Sequence, residues 1–262
     1  MRTKGTGEER DRNGTQTVSR VLAILRAVAA GGSEGRRLSE IAEDVGLHTA
    51  TTHRIASALA REGMLDRGDR SKAYRIGSEI AVLGVGLRSR ASIEDFFEPA
   101  MTRLAELTAD TIFLSARSGL DAVCISRREG TFPIRTLTLN VGDRRPLGIG
   151  AGSLALLAFA EEKEAAAMLK ACAGRYARFG KTERDIAAMV ENARRLTYAL
   201  NDGRILPDMT AVALPLHAAD GRIVAAISVA AINARMAPAR IEEIVATMRE
   251  EIIKVGPLPS YL

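Results

Sequence analysis

Residues 38–63 read LSEIAEDVGLHTATTHRIASALAREG, and the fold of the N-terminal third follows from this stretch. Leu38, Ile41, Ala42 and Val45 recur at helical spacing, with Ser39 placed where a hydroxyl suits a helix N-terminus. Gly46 allows a sharp turn and Leu47 is an apolar plug behind it. The second half opens on Thr49, Thr51 and Thr52 and puts Ile55, Ala56 and Leu59 on one face. It closes at Gly63, where a left-handed C-terminal residue is expected. Two short amphipathic helices joined by a tight turn containing Gly form either an ordinary helical hairpin or a helix-turn-helix.

The flanks favour the second reading. Upstream, Val18, Val21, Leu22, Leu25 and Val28 predict a helix from Thr15 to Gly31–Gly32, the first of a three-helix core. Downstream, two short apolar pieces surround a polar tip, residues 66–72, which predicts a β-hairpin and hence a winged helix-turn-helix over 15–77. Residues 1–14 are charged and nearly free of apolar side chains, the composition of a disordered arm.

Charge separates the chain into two parts. Residues 1–92 hold 16 Lys and Arg against 11 Asp and Glu, a net of +5, whereas 93–262 hold 21 against 21. A polyanion partner for the first part alone is the simplest explanation. Hydrophobic content of 47% and charged content of 26% are those of a soluble globular protein, and 262 residues suffice for two cores. The longest apolar run, 149–160, is too short to span a membrane, for which about 18 residues are needed. The polar N-terminus lacks a signal-peptide core, so a cytoplasmic protein is expected. Cys124 and Cys172 have no patterned partner and read as core residues.

Beyond the wing, residues 78–92 predict a linker helix, and a second domain spans 93–258. It contains a helix at 96–108, strand-like runs at 111–115, 122–127 and 134–139, and a Gly-rich segment at 141–153. Helices are expected at 154–162, 164–171 and 183–198, then a hairpin of 211–216 with 223–231, and a final helix at 238–255. Strands and helices mix without strict alternation, which points to an α+β sensor-like domain.

On the second helix of the motif, Thr49, Thr51, Thr52, His53 and Arg54 form the expected recognition surface, with Thr49 serving either as helix cap or as base contact, and Ser39 on the first helix is a further expected DNA contact. Arg67, Arg70 and Lys72 are wing cations facing either backbone phosphates or solvent, and Gln16 and Arg20 are positioned to clamp the backbone. Gly148, Gly150 and Gly152 precede a helix but match neither a P-loop nor a dinucleotide fingerprint. They form either an anion cradle or a close strand–helix contact. His48, His53 and His217 lack metal-ligand spacing, and Ser228 lacks a nucleophile elbow. No catalytic residue, metal or cofactor is expected.

Taken together, the chain resembles the IclR family of bacterial transcriptional regulators over roughly residues 15–256. The resemblance is carried by residues 18–25, 38–42 and 51–54, by Tyr74-Arg75-Ile76-Gly77, and by 141–147. Gly150-Ala151-Gly152, 213–216 and 225–229 complete it. It implies a dimer or dimer of dimers on a palindromic double-stranded DNA operator. It also implies a GAF-like α+β effector-binding domain, joined by the linker helix to the winged domain, that takes a small organic or aromatic acid. Carried over position by position, the effector pocket comprises Gly150, Ala151, Asn201, Asp202, Ala211 and Ser228, to which Arg135 is added as the nearest candidate cation. Thr52 stands where the family more often has Val. The rival class is a small-molecule-binding or enzymatic domain carrying a basic assembly domain.

Overall fold

The computed structural model describes residues 7–32, 34–68, 71–85, 92–134, 138–203 and 207–256, the side chains of 7–15 excepted. It divides into two compact units, one through residue 90 and one from residue 91.

In the first unit, α1 (Gly7–Ala29), α2 (Leu38–Val45) and α3 (Thr49–Arg61) precede a hairpin of β1 (Leu65–Arg67) and β2 (Tyr74–Ile76), followed by α4 (Ser78–Gly84). Helix α1 starts at Gly7 and not at Thr15, so residues 7–14, expected within a disordered arm, are helical. Residues 86–91 of the expected linker lie outside the described residues. Ile24, Val28, Ile41, Ile55, Leu59, Leu65 and Tyr74 meet in one core, where each large side chain contributes about 1.5–3 kcal/mol by leaving water. Gly46 has φ +63°, and the Leu47 amide donates to the Ala42 carbonyl at 3.0 Å, closing α2 and setting the turn into α3. The wing is anchored by Arg36, whose backbone exchanges two hydrogen bonds with Tyr74 at 2.9 and 2.8 Å.

The second unit is built on an antiparallel sheet in the order β5-β4-β3-β8-β7-β6. Its strands are β3 (Thr111–Ser118), β4 (Asp121–Arg128), β5 (Arg144–Pro146), β6 (Ala199–Asp202), β7 (Met209–His217) and β8 (Ile223–Ile232). Helices α5 (Ile93–Thr108) and α9 (Pro238–Val255) cover one face, against Ile112, Leu114, Val212, Ile227 and Val229. Helices α6 (Ala151–Ala158), α7 (Glu162–Tyr176) and α8 (Glu183–Leu196) cover the other, against Ala199, Ala213 and Ala226. The twofold alternation of strand side chains explains the division: even positions of β7 meet α5 and α9, odd ones meet α6. The strand expected at 134–139 is not one at its described positions, and β5 and β6 are two short strands that the hydrophobic pattern did not mark.

Buried Asp110 joins the strand end to the last helix, accepting from Arg235 Nε at 2.8 Å and Arg240 Nη2 at 2.7 Å. Among the described residues no helix is long and apolar enough to cross a membrane.

Candidate functional site

Helix α3 buries Thr52, Ile55, Ala56 and Leu59 and exposes Thr49, His53, Arg54 and Arg61, with Thr51 half-buried. His48 occupies the N-cap position, so Thr49 is the first helical residue and its side chain does not cap. Its first-turn amides and the exposed cations give a surface able to meet phosphates and base edges. Thr52 is excluded from that surface. It is 0% exposed, and its hydroxyl donates to the His48 carbonyl at 3.2 Å, because helical spacing carries position 52 round to the core with Ile55 and Ala56. We expect Thr52→Val to leave DNA affinity within about twofold and to hold or slightly raise the melting temperature, since the hydroxyl and its local bond disappear together. Parallel DNA titration and calorimetry check this.

Between the start of α2 and the wing lies a concavity lined by Arg37, Ser39, Arg67, Ser71, Lys72 and Tyr74. The Arg67 guanidinium stacks 5.7 Å from the centroid of the Tyr74 ring, which orders a long exposed side chain. Arg36, by contrast, is engaged by Asp44 at 2.9 Å and Glu40 at 3.6 Å. Gln16 is exposed and Arg20 half-buried on α1. Arg70 lies outside the described residues. Arg37 and Arg61 are exposed cations that the sequence reading passed over.

In the second unit a cavity opens on the α6 side of the sheet, with about 600 Å3 of atom-free space including the open solvent at its mouth. Strand alternation aims Phe113, Ser115, Cys124, Asn201, Ala211 and Ser228 into it. The Gly-rich loop closes the other side. Gly150 has φ +93°, and a Cβ on Gly152 would stand 3.2 Å from Ser115 Oγ and 3.7 Å from Ser228 Oγ. The loop thereby presents the first amides of α6 beside the two serines. Five of the six residues carried over from the family resemblance, Gly150, Ala151, Asn201, Ala211 and Ser228, line the cavity. Asp202 does not; it is exposed, because it follows Asn201 on β6 and alternation turns it away.

Arg145 is a cation lining this cavity. Arg135 lies outside the described residues, whereas Arg145, on β5, lines the cavity, its Nη2 donating to the Thr138 carbonyl at 2.7 Å. A Cβ on Gly150 would be 3.4 Å from Arg145 Nη1, so the guanidinium stands beside the start of α6. Burial draws the guanidinium down from its ordinary value, and Asp143 and Cys124 act against that. Among the described residues no carboxylate is within ion-pair distance of Arg145. Burial pushes the Cys124 thiol up to about 11, with Asp143 adding to the rise, so it is a neutral wall group near pH 7. Arg145 and Asp143 lie within residues 141–147, but the sequence carries no signal that β5 pairs with β4 and turns Arg145 inward.

The family profile for the bacterial transcriptional regulator IclR C-terminal region matches residues 86–255, and that for the IclR helix-turn-helix domain matches 17–69. The chain belongs to the IclR family. Among relatives of this IclR-type chain, the HTH-type transcriptional regulator BhcR of Paracoccus denitrificans is 31% identical, covering 92% of this chain and 85% of its own. A putative IclR regulator from a Silicibacter species superposes with a TM-score of 0.77 at 24% identity, over 93% of this chain and 98% of that one. An IclR homolog of Microbacterium hydrocarbonoxydans, solved with 4-hydroxybenzoate, gives 0.65 at 21% identity, over 91% and 96%. This IclR chain is thus a DNA-binding transcriptional regulator with a winged helix-turn-helix unit and an α+β C-terminal unit.

Proposed function

We propose that the chain acts in the cytoplasm as a dimer, or a dimer of dimers, on a palindromic operator. Each copy inserts the exposed face of α3 into a major groove and lays the wing concavity on the backbone. An organic acid seated against Arg145 changes the operator affinity, and the operator reciprocally changes affinity for the acid. Arg145 carries the effector half of this reading: a half-buried cation beside a helix N-terminus, which feels Asp143 but has no carboxylate in ion-pair contact among the described residues, suits an anion. The 4-hydroxybenzoate held by the Microbacterium homolog is an anion of that class. Self-association is supported by apolar side chains exposed on two helices: Val18 and Leu22 one turn apart on α1, and Val82 and Leu83 on α4.

Sedimentation of the full chain, alone and with a labelled duplex from its own upstream region, tests the DNA half. Two or four copies per duplex are expected, with affinity falling by about 10³ or more between about 50 and 200 mM salt. A monomer that binds the duplex without salt dependence, or not at all at low salt, overturns the reading.

A further inference from the structure

We infer that the ligand of the C-terminal cavity carries, besides its carboxylate, a hydrogen-bond donor, a hydroxyl or amino group, which meets the carboxamide of Asn201. This rests on the cavity being an organic-acid site. Asn201 is only 5% exposed, lines the cavity, and its Oδ1 is buried with no hydrogen-bond partner among the described residues. A carboxamide oxygen can only accept, and a buried acceptor left unmet is costly enough to be rare in native proteins. Neither of the nearby serine hydroxyls, Ser115 and Ser228, engages it.

The topology gives the cavity two unlike ends. Arg145 comes from β5 and Asn201 from β6, the two outer strands of the sheet, so they reach the ligand from opposite edges. The Arg145 end offers the guanidinium and the first amides of α6 as donors to the ligand carboxylate, beside Asp143, whose carboxylate accepts from the Asn140 amide at 2.7 Å. The Asn201 end presents an acceptor. A keto acid, an ether acid or an unsubstituted acid satisfies the first end and leaves the second unmet. A hydroxy or amino acid with the donor set away from the carboxylate satisfies both. Asn201 thereby determines specificity without supplying the charge that holds the ligand. Discrimination should be appreciable, because the analogue lacking the donor keeps the protein acceptor desolvated and unpaired.

Three matched pairs provide the test on the full chain: 4-hydroxybutyrate with 4-methoxybutyrate, 4-hydroxyphenylacetate with 4-methoxyphenylacetate, and 4-hydroxybenzoate with 4-methoxybenzoate. Thermal shift and calorimetry should show the hydroxylated member of a binding pair about ten- to a hundredfold tighter than its partner. Asn201→Leu should bring the pair to within about threefold, without lowering the unliganded melting temperature, since an unmet polar group is removed. Asn201→Asp, an acceptor at both oxygens, should keep the preference while weakening both acids. Equal binding of both members to the unaltered protein overturns the inference and leaves the acid site standing. A preference that survives Asn201→Leu, or a large fall in that variant's unliganded melting temperature, also overturns it. No stabilisation by any of the six acids removes the organic-acid reading and this inference with it.

Discussion

Arg145→Met should weaken binding of an organic acid by about two orders of magnitude, or ~3 kcal/mol, while operator affinity without acid stays within about twofold. The methionine keeps much of the stem volume on β5 and removes only the guanidinium. Arg145 Nη2 is tied to the Thr138 carbonyl and its Nη1 side faces the Gly150 loop, so the group is held in place before a ligand arrives. Such preorganisation concentrates the loss in the charge itself. Because an effector alters DNA affinity only through its own binding, the acid response of the operator complex should vanish over the concentration range that saturates the unaltered protein. Calorimetry with the acid and DNA titration at fixed acid check the two halves. Unchanged acid affinity would place the anion elsewhere, and joint loss of acid and DNA binding would mark Arg145 as a residue the fold itself needs.

The second large effect concerns DNA. Arg54→Ala and Arg67→Ala should each weaken operator binding by about 1–3 kcal/mol, but with different signatures. Arg67 sits at the wing, ordered over Tyr74, and is placed for phosphate. Its removal should weaken all sequences alike and reduce the slope of log affinity against log salt by about 1. Arg54, on the exposed face of α3, should instead relax preference at one base position if it reads a base edge. Arg36→Ala is the control: its guanidinium is engaged by Asp44 and Glu40, so the variant should lose stability and keep the salt slope. Fluorescence anisotropy across a salt series separates the three.

What the sequence revealed and what it hid have a common physical basis. Helices with a clean apolar stripe were legible, and the final one was placed at 238–255, where α9 runs. The long strands β7 and β8 and their turn were legible for the same reason. Periodicity reports how one segment alternates between core and surface. It does not report which strands lie side by side, so β5 and β6, three and four residues long, went unmarked. That gap explains why Arg145 went unnoticed: proximity along the chain suggested Arg135, which lies outside the described residues, while pairing of β5 with β4 brings Arg145 to the cavity. The two corrections among the site residues are errors of phase. Thr52 shares a helical face with Ile55 and Ala56, and Asp202 takes the opposite strand face from Asn201. Chemistry alone had grouped each with its neighbours.

Helix α6 is buried at every position from Ala151 to Ala158. The element whose amides would meet the proposed anion is therefore also part of the interior, and a larger side chain along it meets packed neighbours. Such a helix has little room to drift over generations. Of the strand residues facing the cavity, Ser115 and Ser228 stand close to Gly152, whereas Asn201 has no partner for its Oδ1 among the described residues. If the proposed site holds, a lineage on this scaffold retunes what it senses most readily at position 201, while the start of α6 stays fixed.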